Sequence, residues 1–435
     1  MMTIFDRDAE LMERRDMAQL QLERLQATLH RVYKNVKFYK KKFGEAGFLP
    51  EDCQSLEDLT RLPFTTRQDL AASYPYEMFA VPLREVVRIH SSTGSPGAPI
   101  VTGYTARDLR TWAKLAARVL TAAGVDRDDV VQVTLSYGLL TSAFGIHNGV
   151  ELLGASVIPT GPGSSARQVQ IMRDYRTTVL VSTPSYAQVL ADQMETLGVD
   201  AKNLHLKLAL LAGEPWTEAQ RLEIESRLYL TALDHYALSE VMGPGVAGEC
   251  AYRRGMHLHE DHFIPEIIDP KSGAPLPHGE LGELVLTTIT KEAMPLVRFR
   301  TGDLCRLLYE PCLCGRTLPR LSRIKGRTDT VVIVKGINIY PGRVGQILTA
   351  ILGEETVYQL VIGREAHLDY LEVKIEVREG LFFDKMTVLR EILQQLTRKL
   401  AEAIGVRPRV KPVEPSSISR EEETSPLVID LRIRG

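Results

Sequence analysis

Ser91, Ser92, Thr93, Gly94, Ser95 and Gly97 fall within seven consecutive positions of the segment SSTGSPGAP, residues 91–99. Hydroxyls and successive backbone N–H groups offer donors to an anion, and glycines let the backbone approach it closely. The chemistry on offer is phosphate binding. The loop is not a Walker A sequence and holds no lysine; Ala98 stands where a cation would help most. A second group suits a metal. Cys250-x6-His257 and Cys312-Leu-Cys314 supply three thiols and an imidazole, a recognised tetrahedral zinc set that is structural because no position stays open. His259 and His262 are competing ligands, and three buried thiols without a metal are the alternative. Cys53 and Cys305 stand alone.

Such groups need a scaffold. From about residue 105 helix and strand alternate. Ala106 to Leu120 places Leu109, Trp112, Leu115, Ala116 and Val119 on one helical face with Gly124 beyond its end, and Val130 to Leu135 reads as a strand. Thr178 to Ser182, Leu206 to Leu211 and Thr231 to Tyr236 are short apolar strands. Helical stretches over Ser165 to Tyr175, Tyr186 to Leu197 and Thr217 to Leu228 separate them. This pattern predicts an α/β fold with a largely parallel sheet. In such sheets ligands bind beyond the carboxyl ends of the strands, where this chain has the polar segments STPS, AGEPW and ALSE.

From Gly255 to Leu308 the chain turns β-rich. After Gly326-Arg327-Thr328-Asp329 its character changes again, with strands near Val331, Val357, Leu371 and Val428 and a helix from Lys385 to Ile404. That is enough for a small α+β domain, so the expected domains are 1–328 and 329–435. Residues 8–43 read as one long charged helix or two shorter ones, with Leu11, Met12, Leu20, Leu22 and Leu25 apolar. Such a helix suits a cap on the core or an oligomer surface, as in a homodimer.

Hydrophobic content of 44% and charged content of 25% over 435 residues describe an ordinary globular chain with a large core. A net charge of −2 gives no reason to expect nucleic acid or an acidic membrane as partner. The charged start MMTIFDRDAELMERR argues against a secretory signal, and no apolar run approaches the roughly 20 residues of a membrane helix. A cytoplasmic location is the expectation. Five cysteines are too few and too unevenly spaced for a disulfide framework.

Seven segments, in order, carry a family resemblance: SSTGSPGAP (91–99), SYGLLTSAFGIHNG (136–149), AGEPWTEAQR (212–221), DHYALSEVMGPGVAGEC (234–250), TKEAMPLVRFRTGDL (290–304), GRTDTVVIVKGINIYP (326–341) and VEPSSISREEETSPLVID (413–430). Together they resemble the adenylate-forming enzymes, most closely the phenylacetate–coenzyme A ligase branch. The resemblance implies a large N-terminal AMP-binding domain with parallel-sheet layers and a small, mobile α+β C-terminal domain. It implies ATP, coenzyme A and magnesium, and a small-molecule carboxylic acid as substrate. The acid attacks the α-phosphate of ATP to give an acyl adenylate and pyrophosphate; the coenzyme A thiol then displaces AMP.

Residue by residue, the resemblance gives Ser91 to Gly97 to pyrophosphate and Gly213, Glu214 and Pro215 to a platform for adenine. Tyr236, Ala237 and Ser239 line the nucleotide and acid pockets. Glu240 is the magnesium candidate, since magnesium favours carboxylate and phosphate oxygens. Asp303 would accept the ribose hydroxyls, and Arg327 would pair with ribose or phosphate. Asp329 matches the hinge, and Lys335, Gly336 and Ile337 the coenzyme A step. Tyr137, Ser142 and Ala143 fall on the acid pocket; larger side chains at the last two than in related ligases imply a reshaped aryl pocket. Some relatives carry an arrangement similar to the Cys250, His257, Cys312, Cys314 zinc set.

Three positions depart from the family pattern, and the two lost lysines bear on rate. The family places lysines at the slots held here by Ala98 and Thr424, and an aspartate at Thr330; Arg420 and Lys411 are the nearest cations near Thr424 but lie off register. Losing one donor to a transition state costs roughly 2.7–4 kcal/mol, so adenylation is expected to be slow. AMP transfer to another acceptor, such as a deazaflavin coenzyme, and a nucleotide- or acyl-adenylate-binding descendant without catalysis are the alternative readings.

Overall fold

The computed structural model describes residues 3–92, 99–329, 331–352, 356–376, 386–414, 417–418 and 427–433. The chain divides into two compact units, the first built from residues 1–92 and 100–328 and the second running on from Asp329.

A mixed sheet of nine described strands organises the first unit. In chain order its strands are β1 (Val130–Val133), β2 (Ser156–Ile158), β3 (Val179–Ser182), β4 (Leu208–Leu211), β5 (Thr231–Leu238), β6 (Gly243–Glu249), β7 (Met256–Leu258), β8 (Leu307–Leu308) and β9 (Arg320–Leu321). They lie side by side as β8-β9-β7-β6-β5-β4-β3-β1-β2. The run β2-β1-β3-β4-β5 is parallel, and β5 to β8 are antiparallel. Every residue of β3 and β4 is buried, as expected for parallel strands covered on both faces.

The covering helices start and stop where local chemistry dictates. Thr105 and Asp108 form a capping box at the head of Ala106–Ala123, and Gly124 ends it at φ +97°. Thr217 and Gln220 do the same for Glu218–Leu228, and Pro184 opens Pro184–Thr196 behind the Thr183 cap. Glycine is required where helix Ser142–Leu153 and β6 cross the first of these helices. A Cβ on Gly145 or Gly243 would lie 2.3 Å or 2.6 Å from the Trp112 ring.

A four-stranded antiparallel sheet follows, ordered Phe263–Ile268, Gly282–Thr288, Phe299–Cys305 and Gly326–Arg327. The hairpin Val86–Ser91 with Val101–Thr105 carries residues 91–99 at its tip, closed by Ser92 N–H donating to Ile100 O at 3.0 Å. The rest of that loop, Thr93 to Ala98, lies outside the described residues.

The N-terminal segment forms a short helix, Arg7–Glu10, and two longer ones, Arg14–Asn35 and Lys37–Glu45, broken at Val36. Its buried face is Met17, Gln21, Leu25, Thr28, Leu29 and Val32. Of the five apolar positions the sequence singled out, only Leu25 is buried. The face turns because Gln21 Nε2 donates to Glu260 O at 2.8 Å, and Leu25, Leu29 and Val32 join a core with Tyr104, Trp112 and Phe263. These helices pack on their own chain.

The second unit has a four-stranded sheet, ordered Arg409–Val413, Leu368–Glu376, Tyr358–Glu365 and Val428–Asp430, with helices Pro341–Leu352 and Met386–Ile404. A small hairpin, Val332–Val334 with Ile337–Ile339, precedes it.

Candidate active site

Because β3, β4 and β5 run parallel, the residues that follow them emerge at one sheet edge. After β4, Gly213 at φ +85° and Pro215 are exposed while Glu214 and Trp216 turn inward. Glu214 Oε2 accepts from Ser185 N–H at 3.2 Å, tying the segment after β4 to the one after β3. A flat stretch of backbone is thus presented to solvent and anchored from behind.

At the end of β5 the register slips between Tyr236 and Ala237, a bulge that re-aims the side chains beyond it. Ser239 Oγ lies 2.6 Å from Thr141 Oγ1. Glu240 is buried, and its Oε1 accepts from Arg67 Nη1 at 2.6 Å. Arg67 is buried too and also donates to Thr301 O at 3.3 Å. Tyr104 OH donates to Met242 O at 2.8 Å, fixing the turn that follows Glu240.

Asp303 collects donors. Tyr236 OH donates to its Oδ2 at 2.5 Å and Arg327 Nη1 to its Oδ1, while Asp303 N–H donates to Thr301 Oγ1 at 3.0 Å. Strand pairing places Arg327 opposite Asp303, so this contact follows from register. Burial, then the Asp303 charge, drives the Tyr236 hydroxyl well above its ordinary value, keeping it a donor.

Of the expected acid-pocket residues, Tyr137 is half-buried, with its hydroxyl 3.2 Å from His147 Nδ1 and its ring edge-on to Phe144. Burial pushes its pKa to about 12. Ser142 and Ala237 are partly exposed. Ala143 is fully buried in a core cluster with Val119, Val133, Ile146 and Val181.

Ser91 N–H donates to Leu139 O at 2.9 Å and its Oγ to Ser92 O at 3.2 Å, so both serines sit in the hairpin neck. Thr93, Gly94, Ser95, Gly97, Thr330 and Thr424 lie outside the described residues. In the second unit, Asp329 Oδ1 accepts from Val331 N–H at 3.3 Å. Lys335 and Gly336 form the two-residue turn of the hairpin, both with positive φ and both exposed, and Ile337 opens the next strand.

The cysteines and histidine converge. Cys250, His257, Cys312 and Cys314 offer donor atoms that all lie within 4.8 Å of one another, and all four residues are buried. Cys250 Sγ is 3.7 Å from Cys312 Sγ, and Cys314 Sγ is 3.3 Å from His257 Nε2. The pairing of β9 with β7 sets Arg320 opposite His257, and the turn Cys312–Gly315 closes with Gly315 at φ +87°. Contact with Cys250, then with His257, lowers the Cys314 thiol far below its usual range, and the contact with Cys314 raises Cys250. His259 and His262 belong elsewhere. His259 Nδ1 lies 2.7 Å from Gly245 O, and His262 Nδ1 2.7 Å from Thr290 Oγ1.

The AMP-binding enzyme model matches residues 91–290, and the AMP-binding enzyme C-terminal domain model matches 336–432. The phenylacetate-coenzyme A ligase of Thermus thermophilus is 42% identical over 435 residues, covering 96% of this chain and 97% of its own. That of Escherichia coli is 43% identical over 419 residues, covering 96% and 95%. The chain belongs to the phenylacetate–coenzyme A ligase family.

A 2-hydroxyisobutyryl-CoA ligase solved with 2-HIB-AMP and CoA superposes with a TM-score of 0.92 at 29% identity, covering 97% of this chain and 91% of its own. The adenylate-forming fold expected from the sequence is therefore the fold of this family member. Two of its site residues escaped sequence reasoning. Arg67 lies 173 positions from Glu240, in a short helix with no motif of its own. Thr141 sits inside the 136–149 segment, where a hydroxyl facing Ser239 was the available signal.

Proposed function

We propose that the acid activated by this chain is phenylacetate or a closely related aryl acid. The chain is an ATP-dependent acid–coenzyme A ligase. The acid's carboxylate oxygen attacks the α-phosphorus of ATP and pyrophosphate leaves; the coenzyme A sulfur then attacks the acyl carbon, and AMP leaves. The observation that carries the nucleotide reading is Asp303, buried and fixed by Tyr236 and Arg327 beside a sheet edge that offers a solvent-facing backbone platform.

In this reading Gly213 to Pro215 face adenine and Asp303 accepts the ribose hydroxyls. Arg327 bears positive charge next to that site. Glu240 fits a magnesium ion that takes most of its ligands from phosphate and water; Arg67 holds the carboxylate in one orientation. Tyr137, Ser142 and Ala237 form the acid side, with Tyr137 supplying an aromatic wall; Ala143, expected there from the sequence, is buried in the core behind it. Lys335, Gly336 and Ile337 serve the coenzyme A step, where Gly336, lacking a side chain, lets the pantetheine chain approach the backbone.

The cysteine cluster fits zinc. Three thiols and one imidazole, buried and mutually in reach, match a closed structural set. Cys250, His257, Cys312 and Cys314 would hold the ion, which would tie β7 to the turn after β8 and take no part in acid activation.

A pyrophosphate-release assay over a panel of carboxylic acids tests the reading. Phenylacetate and its ring-substituted relatives are expected to give the highest kcat/KM. A panel in which short aliphatic acids outrun every aryl acid overturns it.

A further inference from the structure

Lys291 is 2% exposed, and its Nζ has no hydrogen-bond partner among the described residues. An ammonium taken out of water without an acceptor destabilises a fold. Its neighbours make the position stranger. The Asp108 carboxylate acts on it from helix Ala106–Ala123, but that carboxylate is spent on the backbone N–H groups of Thr105, Glu292 and Ala293 at 2.9, 2.7 and 3.0 Å. Glu240 also acts on it, and its Oε1 is taken by Arg67. His90 feels the Lys291 charge from the phosphate-loop hairpin.

What Lys291 does touch is Tyr104: Nζ lies 4.2 Å from the ring centroid, a cation–π contact. Tyr104 belongs to the strand that returns from residues 91–99, and its hydroxyl holds Met242 O, two residues beyond Glu240. The residue after Lys291 is tied to the same hairpin, since Glu292 Oε2 accepts from Thr105 Oγ1 at 3.0 Å. Tyr104 therefore joins the hairpin to the Ser239–Met242 turn, and the buried Lys291 cation rests on its ring.

We propose that Lys291 is a positioning residue of the adenylation step, holding Tyr104 and the Glu240 turn in place for the magnesium nucleotide. The inference rests on the reading of Glu240 as the magnesium ligand. Burial lowers the Lys291 amine to about 7, against the pull of Asp108 and Glu240, which fits a charge kept at some cost to stability.

The test is Lys291→Met in the full-length enzyme, with Lys291→Arg and Glu240→Gln beside it. Three quantities are measured: ATP- and acid-dependent pyrophosphate release, thioester formation from synthetic acyl adenylate, and the melting temperature. Lys291→Met is expected to slow pyrophosphate release about 100-fold, to leave thioester formation from the adenylate within about twofold, and to melt no lower than wild type. Lys291→Arg, keeping the charge, is expected to recover most of the pyrophosphate release. Unchanged pyrophosphate release in Lys291→Met overturns the proposal, as does equal loss in both half-reactions with a lower melting temperature. If Glu240→Gln releases pyrophosphate normally, the Glu240 reading fails and the proposed route fails with it. If only Glu240→Gln is impaired, the Lys291 proposal fails alone.

Discussion

Arg67 and Glu240 face each other across 2.6 Å with both side chains buried, although 173 residues separate them in the chain. Removing one partner of a buried ion pair leaves an uncompensated charge and typically costs about 3–5 kcal/mol. Arg67→Met is therefore expected to lower unfolding free energy in urea by roughly that amount. An effect below about 1 kcal/mol would show that water reaches the pair.

Asp303→Ala is expected to raise KM for ATP by about 10- to 150-fold, the worth of hydrogen bonds to a charged group. Steady-state kinetics at saturating acid and coenzyme A check this. Tyr236→Phe removes one donor to the same carboxylate and should move KM in the same direction, by less.

How far the sequence reached depends on the distance over which each contact acts. The helix from Ala106 with its stop at Gly124 and the strand-end segments AGEPW and ALSE were legible, because helix periodicity, helix termination and parallel alternation are local properties. The thiol and imidazole donors of the cysteine cluster were legible, but their convergence was not a matter of spacing: Cys314 meets His257 across 57 positions, through the pairing of β9 with β7. Arg67 lies outside the seven family segments, and Lys291 lies inside one of them, 290–304, with no role expected for it; only the fold brings them to Glu240 and Tyr104. The N-terminal helix was misread for a different reason. A helix wheel ranks Gln21 as solvent-facing, and the Glu260 carbonyl gives it a buried partner.

Metal content offers a direct check on the cysteine cluster. Purified protein is expected to carry about one zinc per chain. Stripping it with a chelator should lower the melting temperature, and Cys314→Ser should lose both the metal and that sensitivity. Metal-free protein with full stability would contradict the assignment.

Asp234 should impose a pH dependence on stability. Burial first, then the Glu249 charge, raises its carboxyl to about 7 from an ordinary 3.8. Between those values the folded chain holds a proton that the unfolded chain has lost, so stability falls as pH rises through this window. Asp234→Asn cannot titrate. Its stability relative to wild type should grow from pH 4 to pH 7 by up to about 4 kcal/mol and then level off. Denaturant curves at each pH would reveal a constant difference if the carboxyl titrates normally.

Thr424→Lys restores a cation at the slot where the family carries one. Pyrophosphate release should rise by on the order of 100-fold, with coenzyme A KM unchanged. No gain would mean that this chain supplies the charge elsewhere.

The chain ligates an acid to coenzyme A through an acyl adenylate. Incubating the protein with ATP, magnesium, phenylacetate and coenzyme A, and quantifying AMP and phenylacetyl-CoA together by chromatography, tests it most directly. The two products should appear in equal amounts and only when all components are present. AMP attached to another acceptor, or bound ATP with neither product formed, would contradict the account.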